Sequence, residues 1–404
     1  MATVLATVPE TRTVAAVVAP LPTDTGYATA LSRQGALAIA VTPAPPAGAH
    51  PAPRPADGPY TATVLHTGDP QRTATRLRSL GVQAVVAGSA AGIALAEDLT
   101  HRLRLPGADP HTSLLRRDRG VQAHALAAAG IPAAAFLRTA RLDEAVACAH
   151  ELRLPSYELA PAAADTPTAP VVCRGREDIH AAWAHLRHSA FVHCGDPHLV
   201  LALHVPGPHF LVNTLTRTDP ATGPRHTVTD VWRETRTPDG RPDRTELMPR
   251  DHTLARVLSL RVLRTLDVLG ITQGPATTRL AYSRRTGPVH LACLAVAHST
   301  PADEALHAAT GRHRFLDALD TVIRPRPALQ PALVPTGHHI VRVHRHPTPE
   351  ADDRLLRTLP HLPTVVRVTD HARTEGAGTG EIVLSGPAPL VEADYHAIRT
   401  QEAP

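Results

Sequence analysis

The sequence predicts a mixed α/β and α+β protein, and three observations carry that reading. Short apolar, β-branched runs alternate with helix-period stretches through roughly the first hundred residues, the spacing of a parallel sheet with crossover helices. From Val171 onward the strand-like runs are separated by turns, at Pro206-Gly207-Pro208 and Arg284–Gly287, as in antiparallel sheets. Hydrophobic content is 43%, but much of it is Ala and Val, with two Trp, five Tyr and four Phe. The core is therefore expected to be built from small aliphatic side chains in layers.

Residues 12–20 (RTVAAVVAP) read as a buried parallel strand, followed by a helix around Gly26–Gln34 and a second strand over Ala36–Thr42. The Pro-, Ala- and Gly-rich residues 43–59 read as a loop. A strand near Tyr60–Leu65, a helix near Gln71–Leu80 and a strand over Gln83–Ala87 come next, and Gly88-Ser89-Ala90 opens a helix through Leu103. Pro110–Gly130 reads as a loop and then an Ala-rich helix stopped by Gly130-Ile131-Pro132, and Asp143–Leu152 as a helix ended by Leu154-Pro155. Residues 160–170 (APAAADTPTAP) look poorly specified. Val171–Cys173, Leu199–His204 and Phe210–Thr216 are expected to share an antiparallel sheet. A helix spans 254–269 and stops at Gly270, and strands at 276–282 and 289–296 flank their turn. The Pro-rich segment Arg324–Pro335 separates a last unit with strands near 339–344, 364–369 and 381–385.

Composition excludes several chemistries. The chain contains no lysine: all 41 Lys+Arg positions are arginine, where roughly twenty lysines would be ordinary. Schiff-base, biotin-bearing, P-loop and general-base lysines are thereby ruled out. The dominance of Ala, Arg, Pro, His and Gly is that of very high-GC coding sequence. The net charge of +4 is spread along the chain, and its densest cluster, Arg116-Arg117-Asp118-Arg119, carries its own acid. With so few aromatics to stack on bases, no nucleic-acid partner is expected. Cys148, Cys173, Cys194 and Cys293 show no C-x-x-C spacing and read as thiols in a reducing compartment. Neither a signal-peptide pattern nor an apolar stretch of about eighteen residues is present, so a soluble cytoplasmic protein without a membrane partner is expected.

A succession of local motifs adds a family resemblance. VVAGSAAGIALAEDLTHRLRLPGADP at 85–110, SLLRRDRGVQAHALAAAGIPAAA at 113–135, VPGPHFLVNTLT at 205–216, HTVTDVWRETR at 226–236, LRTLDVLGITQGPATTRL at 263–280 and GPVHLACLAVAHS at 287–299 follow one another in order. Together with the closing HIVRVHRHPTP…EIVLSGPAP, they resemble the ATP-grasp superfamily, in its amino-acid (carboxylate–amine) ligase branch. The resemblance covers nearly the whole chain. It implies a parallel pre-grasp domain over 1–110, two grasp subdomains over 111–200 and 201–325, and a small C-terminal α+β lobe over 326–404.

Ligases of this kind join a carboxylate to an amine through an acyl phosphate. They hold the ATP phosphates with cations and Mg²⁺ with hard oxygen ligands. Carried over residue by residue, the resemblance puts Arg119 at the lysine of the R-R-D-K pattern, where it could still contact phosphate. The V-V-K-P strand matches Pro155–Pro161, with Glu158 and no cation. The acid before P-G-P maps to Leu203, beside His204, and the acid after it to His209. The carboxylate of G-P-A-x-T-E maps to Arg279 and that of V-E-V-N/G to Ala292. The neighbouring ligand position is Leu294, and the family arginine a few residues on is Val296. Glu and Asp are absent from all of Gly274–Ala302, so a shift of register does not restore them.

ATP and Mg²⁺ are accordingly not expected as cofactors, nor is any metal. The leading expectation is a pseudoenzyme of specialised metabolism that binds an amino-acid-like metabolite or an active ligase partner. Trp232 and Arg233 are its candidate carboxylate holders, against the alternative of a buried Trp beside a solvated Arg. A second expectation is an ATP-independent enzyme using His193, His198, His204, His209, His290 and His298, with His204 and His209 as catalytic candidates. A still-active ligase with unusual phosphate contacts is a third. A plain interaction subunit, docking through Pro-rich loops and possessing a homodimeric or paralogous partner, is a fourth.

Overall fold

The computed structural model describes residues 12–20, 26–43, 60–164, 168–219, 221–237, 240–296, 300, 302–323, 337–345, 349–370 and 380–402. The first domain contains β1 (Val14–Val18), α1 (Gly26–Arg33), β2 (Leu37–Pro43), β3 (Ala62–His66), α2 (Pro70–Ser79), β4 (Ala84–Ala87) and α3 (Ile93–Leu103). Its strands pair in parallel in the order β3-β2-β1-β4. Asp69 starts α2 by accepting from the Gln71 and Arg72 amides, with Pro70 at the first helical position, where its missing N–H costs nothing. Ala16, Val18, Ile39 and Val41 pack one face of the sheet beneath Leu77 and Leu99 of α2 and α3. The opposite face, with Ala15, Val17 and Val86, is covered by Tyr27 and Leu31 of α1 and by Phe315, Ala318 and Leu319 from almost three hundred residues later.

The second unit follows a 3₁₀ turn at Pro110–Arg116 with α4 (Arg119–Ala128), β5 (Ala135–Thr139), α5 (Leu142–Leu152), β6 (Tyr157–Pro161), β7 (Val171–Cys173), α6 (Arg176–Cys194) and β8 (Leu199–Leu203). The strands form an antiparallel sheet in the order β5-β8-β6-β7, so this unit runs through Leu203. No expectation covered α6. Ile179, Trp183, Leu186 and Ala190 recur on one face and are buried, but the histidines and charges between them dilute the pattern.

The remaining elements are β9 (His209–Asp219), β10 (Gly223–Arg236), β11 (Pro242–Leu247), α7 (Thr253–Val268), β12 (Gly274–Ser283), β13 (Gly287–Leu294), α8 (Ala302–Thr310), α9 (Arg314–Ile323), β14 (His338–Arg345), α10 (Pro349–Thr358), β15 (Val365–Asp370), β16 (Gly380–Pro387) and α11 (Ala388–Glu402). All eight strands make one antiparallel sheet, β13-β12-β9-β10-β11-β14-β16-β15.

Three expectations are corrected. The strands at 171–173 and 199–203 belong to the second unit's sheet, whereas β9 belongs to the eight-stranded one, because Pro206-Gly207-Pro208 sends the chain between sheets rather than round a hairpin. The 325/326 boundary does not interrupt the sheet, since β11 pairs with β14 across it. Residues 160–164 are well placed: Ala160 and Pro161 complete β6, Ala162 is fully buried, and Ala163 bridges Asp118. The loops expected at 43–59 and 324–335 lie almost wholly outside the described residues.

The basic cluster at 116–119 separates into distinct roles. Arg116 is buried and paired with Glu97 on α3, with its Nη2 2.9 Å from Glu97 Oε2. Asp118 caps α4 through the Gly120 and Val121 amides and pairs with Arg138 at 2.8 Å. Replacing Glu97 with Ala leaves Arg116 buried without its counter-ion, and urea denaturation should read a loss of about 3–5 kcal/mol. Gly92 packs where α3 meets β1, and a Cβ there would lie 2.3 Å from the Val18 carbonyl oxygen. Gly92→Ala should therefore cost about 1–3 kcal/mol in the same measurement.

Candidate functional site in the cleft between the sheets

Strand alternation builds one wall of the cleft. On β10, Asp230, Trp232, Glu234 and Arg236 fall on one face. Cross-strand register sets Asn213, Leu211 and His209 of β9 beside Asp230, Trp232 and Glu234 respectively, and Arg279 and Thr277 of β12 beyond Leu211 and Asn213. Ala292 and Leu294 of β13 continue the row next to Arg279 and Thr277.

The opposite wall comes from the second unit. Gln122 on α4 clamps β13, its amide donating to the Cys293 carbonyl at 2.6 Å and its oxygen accepting from the Cys293 amide at 2.8 Å. Arg119, three residues earlier on that helix, is anchored by its backbone N–H to the Ala162 carbonyl at 2.8 Å. Its guanidinium lies within electrostatic reach of Glu158 on β6 and of Arg279 and Arg236 across the cleft.

The centre of this cluster is Glu234, which is 2% exposed. Arg236 Nε donates to its Oε1 at 3.0 Å, and Arg279 Nη2 lies 3.5 Å from its Oε2. Burial alone would raise the carboxyl pKa, but Arg279 and then Arg236 outweigh it and hold the group at about 2. Burial lowers Arg119 to about 10, with Glu158 offsetting part of the loss, so its guanidinium is charged at neutral pH. His209 is pushed down to about 3 by burial and then by Arg236, which leaves a neutral imidazole at pH 7. Its Nδ1 is buried without a hydrogen-bond partner.

Matching folds are found among solved structures. An L-amino acid ligase from Bacillus licheniformis superposes with a TM-score of 0.75 at 15% identity, over 96% of this chain and 98% of that one. The chain has the ATP-grasp fold. An N5-carboxyaminoimidazole ribonucleotide synthetase solved as its ADP complex gives 0.68 at 14% identity, over 97% and 98% of the two chains. A carboxyaminoimidazole ribonucleotide synthase from Aspergillus clavatus complexed with ATP gives 0.67 at 12%, over 97% and 99%. No family model matches the sequence, and no curated protein matches it.

Within this ATP-grasp fold, the residues singled out by the sequence are partly gathered and partly scattered. Arg119 lies within electrostatic reach of Glu158 and Arg279, and His209 within reach of Arg279. Ala292 lies beside Arg279, and Leu294 and Val296 pack on Ala90 and Ile93 of the first domain, forming an apolar floor. Leu203 ends β8, its amide donating to the Ala134 carbonyl where the chain leaves one sheet for the other. His204 follows it, with Nδ1 buried and unpartnered. A cavity of about 90 Å³ lies between the first domain and the sheet, lined by Tyr27, Glu97, Arg116 and Val296 among others.

Two expectations do not hold. Trp232 and Arg233 cannot grip one carboxylate together, because neighbours on a strand face opposite ways. Trp232 is buried against Leu306, Ile340 and Val383 and donates to Asp230 Oδ1 at 2.6 Å. Arg233 is exposed and pairs with Glu246 at 3.4 Å. Among the described residues the histidines do not form a cluster either. His198 pairs with Asp196, His193 is exposed on α6, and His290 is buried against Gln122 at 3.0 Å; His298 lies outside the described residues. Among the described residues no three His, Cys, Asp or Glu are grouped as a metal site, and no helix is long and apolar enough to cross a membrane. All four cysteines are free; Cys173 and Cys293 are buried, and Cys148 and Cys194 are half-buried. Sequence reasoning missed Glu234 and Arg236, although their alternation with Trp232 in DVWRETR was the available signal.

The buried rings predict an acid-sensitive fold. His209 and His290 each titrate at about 3 in the folded chain against 6.5 ordinarily, both chiefly through burial. The unfolded chain takes up protons first, so stability is complete above pH 6.5 and falls as the pH drops toward 3. The slope is about 1.4 kcal/mol per pH unit for each ring. Urea denaturation between pH 7 and 4 should show it, and a His209→Gln/His290→Gln double variant should flatten it.

Proposed function

We propose that this ATP-grasp chain is a binding protein and does not perform Mg²⁺-ATP-dependent ligation. One observation carries the reading: Arg279 stands where the resemblance implies a metal carboxylate, and its guanidinium is engaged by the buried Glu234. Mg²⁺ requires near-octahedral oxygen ligands. Arg279, Ala292 and Leu294 offer none, so this part of the cleft does not fit the ion. Glu234 is the nearest carboxylate on the wall, and both of its oxygens are taken by arginines. The ligand on this reading is an amino-acid-like metabolite, or the chain serves an active partner ligase in specialised metabolism.

The alternative of histidine catalysis is less well supported. The dispersal of the histidines argues against it, and a His209 that protonates only near pH 3 is a poor general acid at neutrality. Incubation with ATP, Mg²⁺ and a panel of amino acids should release no ADP above a no-enzyme control. Calorimetry should detect an amino acid, or purification from the native host should recover a bound ligase. ADP release that depends on both Mg²⁺ and an amino acid would overturn the proposal.

A further inference from the structure

Helix α6 belongs to the second unit but stands away from the cleft. Ile179, Trp183, Leu186 and Ala190 pack it onto the sheet face that carries Tyr157, Leu159 and Leu201. The other face of that sheet, with Val200 and Ala202, packs on Ala281 and Val289 of the large sheet.

The outward face of α6 carries a pattern of its own. Glu177, Ala181, Ala184, His188 and Phe191 recur at alternating steps of four and three residues, which draws one straight stripe along a helix. All five are exposed. Phe191 is 60% exposed and its neighbour Val192 is 59% exposed, so the stripe ends in an apolar knob. At the other end of α6 lies a groove of about 1080 Å³, lined by Leu142, Val146, Leu154 and Tyr157 together with Arg174 and His180. Phe191 is three turns from His180 on the same side of the helix, so knob and groove share one flank.

The stripe is also complementary to itself. Its residues pair off about the point between Ala182 and Trp183, Ala181 with Ala184 and Glu177 with His188. Laid end for end on a second copy, each pair forms twice. The alanines let the two helices approach closely at the centre, and an acid meets an imidazole on either side. The same register brings Phe191 to the start of the facing α6, over its groove and within reach of the Arg174 guanidinium, a cation suited to an aromatic face.

We propose that α6 is the centre of a two-fold, antiparallel contact between two copies of this chain, with Phe191 of each copy filling the groove of the other. The charge pattern selects this occupant. A uniformly acidic partner would meet Glu177 and a uniformly basic one Arg174, whereas a reversed second copy meets an opposite or apolar group at both ends. The contact leaves the cleft open and is independent of the reading given to it.

The test is sedimentation velocity of the full chain. Between about 1 and 100 µM the mass should rise from one chain toward two, as expected for a contact of modest size. Phe191→Arg removes the knob and sets like charge over Arg174. It should weaken the dimer about tenfold or more, with thermal melting of the monomer unchanged because the side chain is exposed. Glu177→Arg and His188→Glu should each weaken it too, by facing a cation with His188 or an acid with Glu177. Both changes together restore an opposite pair and should recover most of the loss, a rescue that damage to the helix would not produce. A chain that stays monomeric throughout, as it would if this face served a different protein, would overturn the proposal. So would a dimer indifferent to Phe191→Arg, or a double variant no tighter than the single ones.

Discussion

A carboxylate taken out of water must be matched by positive charge, and Glu234 is such a carboxylate at the centre of this molecule. Arg236 lies two residues along the same strand and Arg279 two strands away, so the match depends on the register of β10 against β9 and of β9 against β12. Slipping any of these pairings by one residue would send one partner to the opposite face and strand the other in a poorly solvated place. The cleft's chemistry and the order of the sheet are therefore the same constraint seen from two sides. The arginines that satisfy Glu234 also make the cleft cationic.

A second constraint ties the domains together. Among the described residues the parallel sheet of the first domain has three helices of its own, and α1 alone does not cover the face carrying Ala15, Val17 and Val86. Phe315 and Leu319 of α9 complete that cover, with Tyr27 and Phe315 meeting edge to face at 4.9 Å between ring centroids. The buried Arg116–Glu97 pair and the apolar contact of Leu294 and Val296 with Ala90 and Ile93 join the same bodies from the other side. Both walls of the cleft are held by these contacts, because β13 carries the apolar floor while Gln122 fastens α4, and hence Arg119, onto it.

The first domain was legible almost strand by strand because each local signal agreed with the final structure. Apolar runs of parallel-strand length alternated with helical stretches, and the structure starts α2 at the Asp69 cap with Pro70 behind it. The second unit was less legible. Helix α6 mixes four buried anchors with histidines and charges, and the segment at 160–164 gains its placement from Asp118 and Arg119 rather than from its own Ala- and Pro-rich composition. In the site, Arg119, Glu158, His209 and Arg279 were named from motif order. Glu234 and Arg236 were passed over because nothing local marks a charged strand residue as buried.

The sequence by itself determined the class of the fold, the positions of most strands and helices, and the absence of lysine and of acids over Gly274–Ala302. These are local properties, set by composition, periodicity and turn chemistry. Only the tertiary structure decided which strands share a sheet, that the C-terminal strands extend it, and that Trp232 and Arg233 turn away from each other. It alone placed Arg236 and Arg279 around one buried carboxylate, Glu234. Such facts depend on contacts between residues far apart in the chain, and register between distant strands is not encoded in any single segment.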